Sequence, residues 1–95
     1  MASYLIATVN ITDPGSFAKY LQGIVGLSER FGGEAVVRGQ VSEVLEGEAP
    51  EGLRVIVSRY PDSASARAYL ASPEYQAAKA HRVGAAEVSM LLLEG

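Results

Sequence analysis

Apolar residues recur at two periods along this chain, and the switches between them mark its elements. From Ser3 to Ile11 the period is two. Leu5, Ala7, Val9 and Ile11 share one face, and Tyr4, Ile6, Thr8 and Asn10 share the other. One face is wholly apolar and the other mixed, as in a strand that packs helices on one side only. The period then lengthens. Phe17, Tyr20, Leu21, Ile24 and Val25 form one helical stripe. Thr12-Asp13-Pro14 opens that helix, with Asp13 as cap and Pro14 at the first helical position. Gly32-Gly33 closes it, while Gly23 and Gly26 lie inside it at about 1 kcal/mol each relative to alanine.

Glu34 to Gly47 reads as extended, with Gly39 as an expected bulge or bend. Glu48 to Gly52 is a turn, and Leu53 to Tyr60 is a strand carrying Val55-Ile56-Val57, so the pair predicts a long-looped hairpin. Pro61-Asp62-Ser63 starts a second helix, reaching about Ala71. Ser72-Pro73-Glu74 starts another, reaching about Gly84. Glu87 to Leu93 is a last strand, apolar enough to predict burial on both faces. This order predicts an α+β, ferredoxin-like βαββαβ fold. Its four-stranded antiparallel sheet carries helices on one face, in a single domain over residues 1–95.

Such a sheet leaves its second face uncovered. Ile6, Ile56 and one parity of the last strand are expected there, and that much exposed apolar surface is unusual on a monomer. A homodimer whose two sheets face each other, as a dimeric α/β barrel, is the expected remedy.

Composition narrows the function. Eight Lys and Arg against eleven Asp and Glu supply no strong basic stripe, which argues against nucleic acid. There is no cysteine, hence no disulfide, thiol nucleophile or cysteine metal site. The start M-A-S-Y-L-I-A-T-V-N-I does not resemble a secretory signal, and no window is long and apolar enough to span a membrane. A cytoplasmic protein is expected. No spacing for a calcium loop, a phosphate loop or a nucleophile elbow occurs, and neither a metal nor a cofactor is expected.

Several stretches carry a resemblance. G-G-E-A-V-V-R-G (32–39), V-L-E-G (44–47), V-I-V-S-R-Y-P-D (55–62), A-R-A-Y (66–69) and S-P-E-Y-Q-A-A-K-A-H-R (72–82) resemble the domain-of-unknown-function family numbered thirteen-thirty. That family belongs to the dimeric α/β-barrel superfamily, which includes antibiotic-biosynthesis monooxygenases, EthD-like proteins and muconolactone-isomerase-like enzymes. The resemblance implies a ferredoxin-like dimer and allows a cofactor-independent oxygenase or isomerase. The chain departs from the family pattern at Gln40, where a second glycine is usual, and at Arg59-Tyr60, where Glu-Phe is frequent.

The candidate chemistry is sparse. Arg38, within a strand beside Gly39, suits an anionic ligand group; the plain alternative is an edge arginine or an inter-subunit ion pair. Tyr4 and Tyr60, at strand ends of mixed parity, are candidates to line a pocket with a phenol. His81 is the only imidazole and a candidate proton carrier, with a surface position at the helix end as its alternative. Arg82, sharing a face with Tyr75, is a candidate ligand contact, or else a helix-end cation in a salt bridge. Tyr20, Tyr69 and Tyr75 are read as packing residues. Two functions follow: a small, partly apolar organic molecule bound between sheet and helices, or a non-catalytic dimeric module with a filled interior.

Overall fold

The two periods fold as separate layers. A computed structural model describes residues 2–95. Its elements are β1 (Ser3–Ile11), α1 (Pro14–Gly23), α2 (Leu27–Arg30), β2 (Glu34–Gln40), β3 (Arg54–Tyr60), α3 (Ser63–Ala71), α4 (Pro73–Lys79) and β4 (Ala86–Glu94). A short 3-10 turn, Ala80–Arg82, follows α4. The strands form one sheet in the order β2-β3-β1-β4, every neighbouring pair antiparallel. This is the ferredoxin-like arrangement.

Each helix start follows from its capping chemistry. Asp13 accepts a hydrogen bond from the Ser16 N–H, Asp62 from Ser65 and Ser72 from Tyr75, satisfying donors that a helix leaves orphaned. Hydrogen bonding to Ser16 and to Ser65, respectively, holds the Asp13 and Asp62 carboxyls below their ordinary pKa. The first helix is not continuous, however. Gly26 adopts a left-handed φ of 72° and breaks the helical stripe into α1 and α2. Gly23 does permit close packing: a Cβ there would lie 2.8 Å from the Cβ of Ala78 on α4.

The helix-facing side of the sheet is the core. Leu5, Ala7 and Val9 of β1 pack with Phe17, Tyr20, Leu27, Tyr60, Ala66, Tyr69, Tyr75 and Ala78. The register places Ile56 opposite Ala7, so Ile56 belongs to this side and not to the uncovered face. The uncovered face carries Tyr4, Ile6, Val55, Val57, Leu91 and Leu93.

Three further expectations change. The extended segment ends at Gln40, and residues 41–53 form an irregular loop closed by the Val41 N–H bonding to the Leu53 carbonyl at 2.8 Å. The bulge lies at Val36, between the pairs Ala35–Ser58 and Val37–Val57, and not at Gly39. As an outer strand, β4 is not buried on both faces of the chain: Leu91 and Leu93 keep 55% and 52% of their surface exposed.

Candidate functional site

Helices do not cover the sheet evenly. α3 packs over β1, β3 and β4, while α1 lies against α4 and the 3-10 turn. Between the sheet and the α1–α2 segment a cleft of about 610 Å³ remains, within the range of small-molecule sites. Its middle is apolar, lined by Leu5, Ala7, Val9, Phe17, Ile56 and Met90. Polar groups gather at its two ends.

At the mouth stand Arg38, Gln40 and Arg54, all exposed. The Val36 bulge is what brings Arg38 there. Ala35 pairs with Ser58, on the cleft side of the sheet; without the bulge, Val36 would pair with Val57 and Arg38 with Val55 on the uncovered side. With it, Arg38 stands opposite Ile56 and Gln40 opposite Arg54, all on the cleft side. Arg38 and Arg54 are diagonal neighbours, with Cβ atoms roughly 7 Å apart. The ion pair formed among the described residues joins Arg30 to Glu74 at 3.3 Å; the two cleft arginines form none.

At depth, Tyr60 is 1% exposed, and its hydroxyl lies 2.7 Å from Ser28 Oγ. Burial raises the Tyr60 pKa above 10.0, with the neighbouring Glu29 charge adding to the rise and the Ser28 hydrogen bond opposing it. The phenol is therefore neutral and able to donate at pH 7. Gly33 makes this corner possible. A Cβ on it would sit 2.9 Å from Tyr60 Cε1 and 2.8 Å from the Ser28 carbonyl oxygen.

Two of the sequence candidates, Arg38 and Tyr60, thus line the cleft. Three do not. Tyr4 lies on the opposite side of the sheet, facing away from the helices. His81 is exposed on the 3-10 turn beyond α4 and outside the cleft lining. Arg82 is neither a ligand contact in this cleft nor a salt-bridged cation. It is 8% exposed and donates from one nitrogen to the hydroxyls of Tyr20 (3.1 Å) and Tyr75 (2.6 Å). Its guanidinium carbon lies 5.0 and 5.6 Å from the two ring centroids. Arg54, Gln40, Ser28 and Glu29 also line the cleft and were not singled out from the sequence. Period-two parity counted back from Tyr60 along β3 would have found Arg54.

The class defined here is a ferredoxin-like α+β protein with a sheet–helix cleft, and comparison with known proteins gives its family. The chain belongs to DUF1330, a domain of unknown function, whose model matches residues 2–95. Among solved structures it is similar to a protein of unknown function from Rhodopseudomonas palustris, with 24% identity and a TM-score of 0.78, covering 99% of this chain and 82% of that one. It is also similar to a dimeric ferredoxin-like protein of unknown function from Jannaschia, with 16% identity, a TM-score of 0.73 and 100% coverage of both chains. A third is SnoaB, a cofactor-independent oxygenase from Streptomyces nogalater, at 14% identity and a TM-score of 0.68, covering 99% of this chain and 92% of that one. No curated protein matches the sequence. Among the described residues, no helix is long and apolar enough to cross a membrane.

Proposed function

We propose that this protein is a homodimer that binds a small, partly apolar organic molecule in the sheet–helix cleft of each protomer. The observation that carries the binding reading is the cleft itself: about 610 Å³, apolar along its length, with unpaired arginines at its mouth. A filled, purely structural module has no need of such a space. The dimer reading rests on the uncovered face, where Val37, Leu91 and Leu93 are more than half exposed although they sit within strands. Neighbours of the same fold described as dimeric support it.

The chemistry that suits this cleft is a cofactor-independent oxygenation or isomerisation. Arg38 holds an anionic group, and the neutral Tyr60 phenol donates to an oxygen where negative charge develops. Tyr60 acts in this scheme as a donor and not as a base. SnoaB, an oxygenase of the same fold, makes such a reaction a reasonable one to assay first.

The test uses the neutral dye N-phenyl-1-naphthylamine, whose emission rises in apolar sites, together with light scattering. The wild type should take up the dye and scatter as a dimer. Ile56→Trp, which fills the cleft, should abolish dye uptake without changing mass. Leu91→Lys, which appears twice across a two-fold interface, should yield monomers. Absence of dye uptake, or a monomeric wild type, would overturn the corresponding half of the reading.

A further inference from the structure

The two ends of the cleft differ in charge, in depth and in hydrogen-bonding capacity, and those differences define one kind of occupant. The mouth holds two guanidiniums, diagonal neighbours with no carboxylate partner among the described residues, and the side-chain amide of Gln40. Arginine forks match the geometry of a carboxylate, and two of them facing one exposed site favour an anion without burying it. The deep end has the opposite character. Glu29, an exposed residue of α2, lines the cleft beside Tyr60, and its charge opposes ionisation of Tyr60 and Tyr69. An anion at that end would be repelled.

What the deep end offers is a hydrogen. Ser28 and Tyr60 each carry one hydroxyl proton and share one hydrogen bond at 2.7 Å. Whichever of them donates, the other keeps a proton that has no protein acceptor among the described residues. A ligand oxygen entering this corner would receive it. The spacing is set by the strand. Tyr60 lies four residues beyond Ile56, the partner of Arg38, about 13 Å along β3. Leu5, Ala7, Ile56, Ser58 and Met90 line that interval, with no charged group among them.

We propose, building on the binding reading above, that the cleft takes an elongated, largely apolar carboxylic acid. Its carboxylate sits between Arg38 and Arg54 at the mouth, and a carbonyl or hydroxyl oxygen at its far end accepts from the Tyr60–Ser28 pair. The acid enters apolar end first, so its charge remains at the wet rim where the arginines are. Selectivity then comes from length and from both ends together, since neither anchor alone fixes the other.

The test is displacement of bound N-phenyl-1-naphthylamine by three rigid compounds: 4′-hydroxybiphenyl-4-carboxylate, biphenyl-4-carboxylate and 4-phenylphenol. The first carries both ends and each of the others carries one. The hydroxy acid should displace the dye at about tenfold lower concentration than either single-ended compound, the equivalent of one well-placed hydrogen bond. Arg38→Ala and Arg54→Ala, both at exposed positions, should each weaken the two acids several-fold and leave 4-phenylphenol unchanged. The double variant Ser28→Ala/Tyr60→Phe, which removes both hydroxyl protons, should weaken the two hydroxyl-bearing compounds and spare biphenyl-4-carboxylate, while either single variant leaves one donor in place. If the dye binds and all three compounds compete equally, the two-ended assignment is wrong while the cleft remains a binding site. Equal loss of all three compounds in the arginine variants would have the same meaning. If the dye itself does not bind, the binding reading fails and this inference fails with it.

Discussion

Replacing Arg82 by methionine should cost the fold about 2–3 kcal/mol, although the residue pairs with no acid. The guanidinium donates to the hydroxyls of Tyr20 and Tyr75, which are 5% and 2% exposed. Methionine roughly fills the space but offers no donor, so two buried phenol oxygens lose a charged partner. Each such bond is worth about 1.5–3 kcal/mol, and a cation over tyrosine rings adds about 1 kcal/mol. Two effects reduce the sum. A buried cation carries a desolvation cost that methionine escapes, and the two phenols are near enough to bond to each other. The first offset is limited, because no buried side-chain nitrogen among the described residues lacks a partner; the rest of the Arg82 fork therefore reaches water. The assay is urea unfolding at pH 7 followed by far-ultraviolet circular dichroism. With a urea slope of about 1 kcal/mol per molar, the midpoint should fall by about 2–3 M. Arg82→Lys, which keeps the charge but loses the planar fork, should fall in between. Coupling between Arg82→Met and Tyr75→Phe should exceed about 1 kcal/mol in a double-mutant cycle. A midpoint change below about 0.5 M, or a rise, would show that desolvation cancels the bonds and would refute the structural role.

Alkaline pH should unfold this protein through its tyrosines. Burial raises the pKa of Tyr20, Tyr60 and Tyr69 above 10.0 in the fold, so the unfolded chain releases those protons first and stability falls as pH rises past 10.0. Tyrosinate absorbance should accordingly rise together with loss of circular dichroism; three phenols ionising near pH 10.0 in a fully folded chain would contradict it. Gly33→Ala should destabilise by about 2 kcal/mol in urea, since the new methyl must displace Ser28 or Tyr60. An unchanged midpoint would mean that α2 yields without cost. Deleting Val36, the one residue of this stretch without a β3 partner, should leave Val37 opposite Val57 and Arg38 opposite Ile56 in a regular ladder, so the preference for biphenyl-4-carboxylate over 4-phenylphenol should survive. Loss of that preference in a folded deletion variant would show that the Ala35–Ser58 pairing does not hold the register of β2.

The sequence made the frame readable because local chemistry sets it. The caps at Asp13, Asp62 and Ser72 each accept the backbone hydrogen bond that their side chains suggest, and the parity of β1 divides into a core face and an uncovered face. The site was less readable because it depends on pairing between strands. Arg38 could not be assigned a face while the bulge was placed at Gly39, since one extra residue reverses every side chain beyond it. Ile56 was assigned to the wrong face within an unbroken Val-Ile-Val run, whose apolar character gives no parity signal. Arg82 reads from the sequence as a ligand contact or as a salt-bridged cation at a helix end. The tightening of α4 into a 3-10 turn places it inward, beside two phenols that come from α1 and α4.

These details bear on how one sheet can serve two purposes. Side chains alternate across a strand, so each strand contributes to both faces at once, and no residue is free to serve the cleft without fixing its neighbours. On β3, Arg54, Ile56, Ser58 and Tyr60 line the cleft, which leaves Val55 and Val57 for the uncovered face. On β2 the same alternation would have put Arg38 among the apolar residues of that uncovered face. A guanidinium there would be desolvated among apolar side chains and would destabilise a sheet-to-sheet dimer. The bulge at Val36 removes the conflict in a single step: it turns Arg38 toward the cleft and Val37 toward the apolar side. It lies on an outer strand, where an extra residue disrupts pairing with one neighbour only. The proposed ligand recognition and the proposed self-association are therefore linked through backbone register. A change in the loop 41–53 or in β2 that shifted the register by one residue would damage both together, whereas a side-chain substitution can damage either alone.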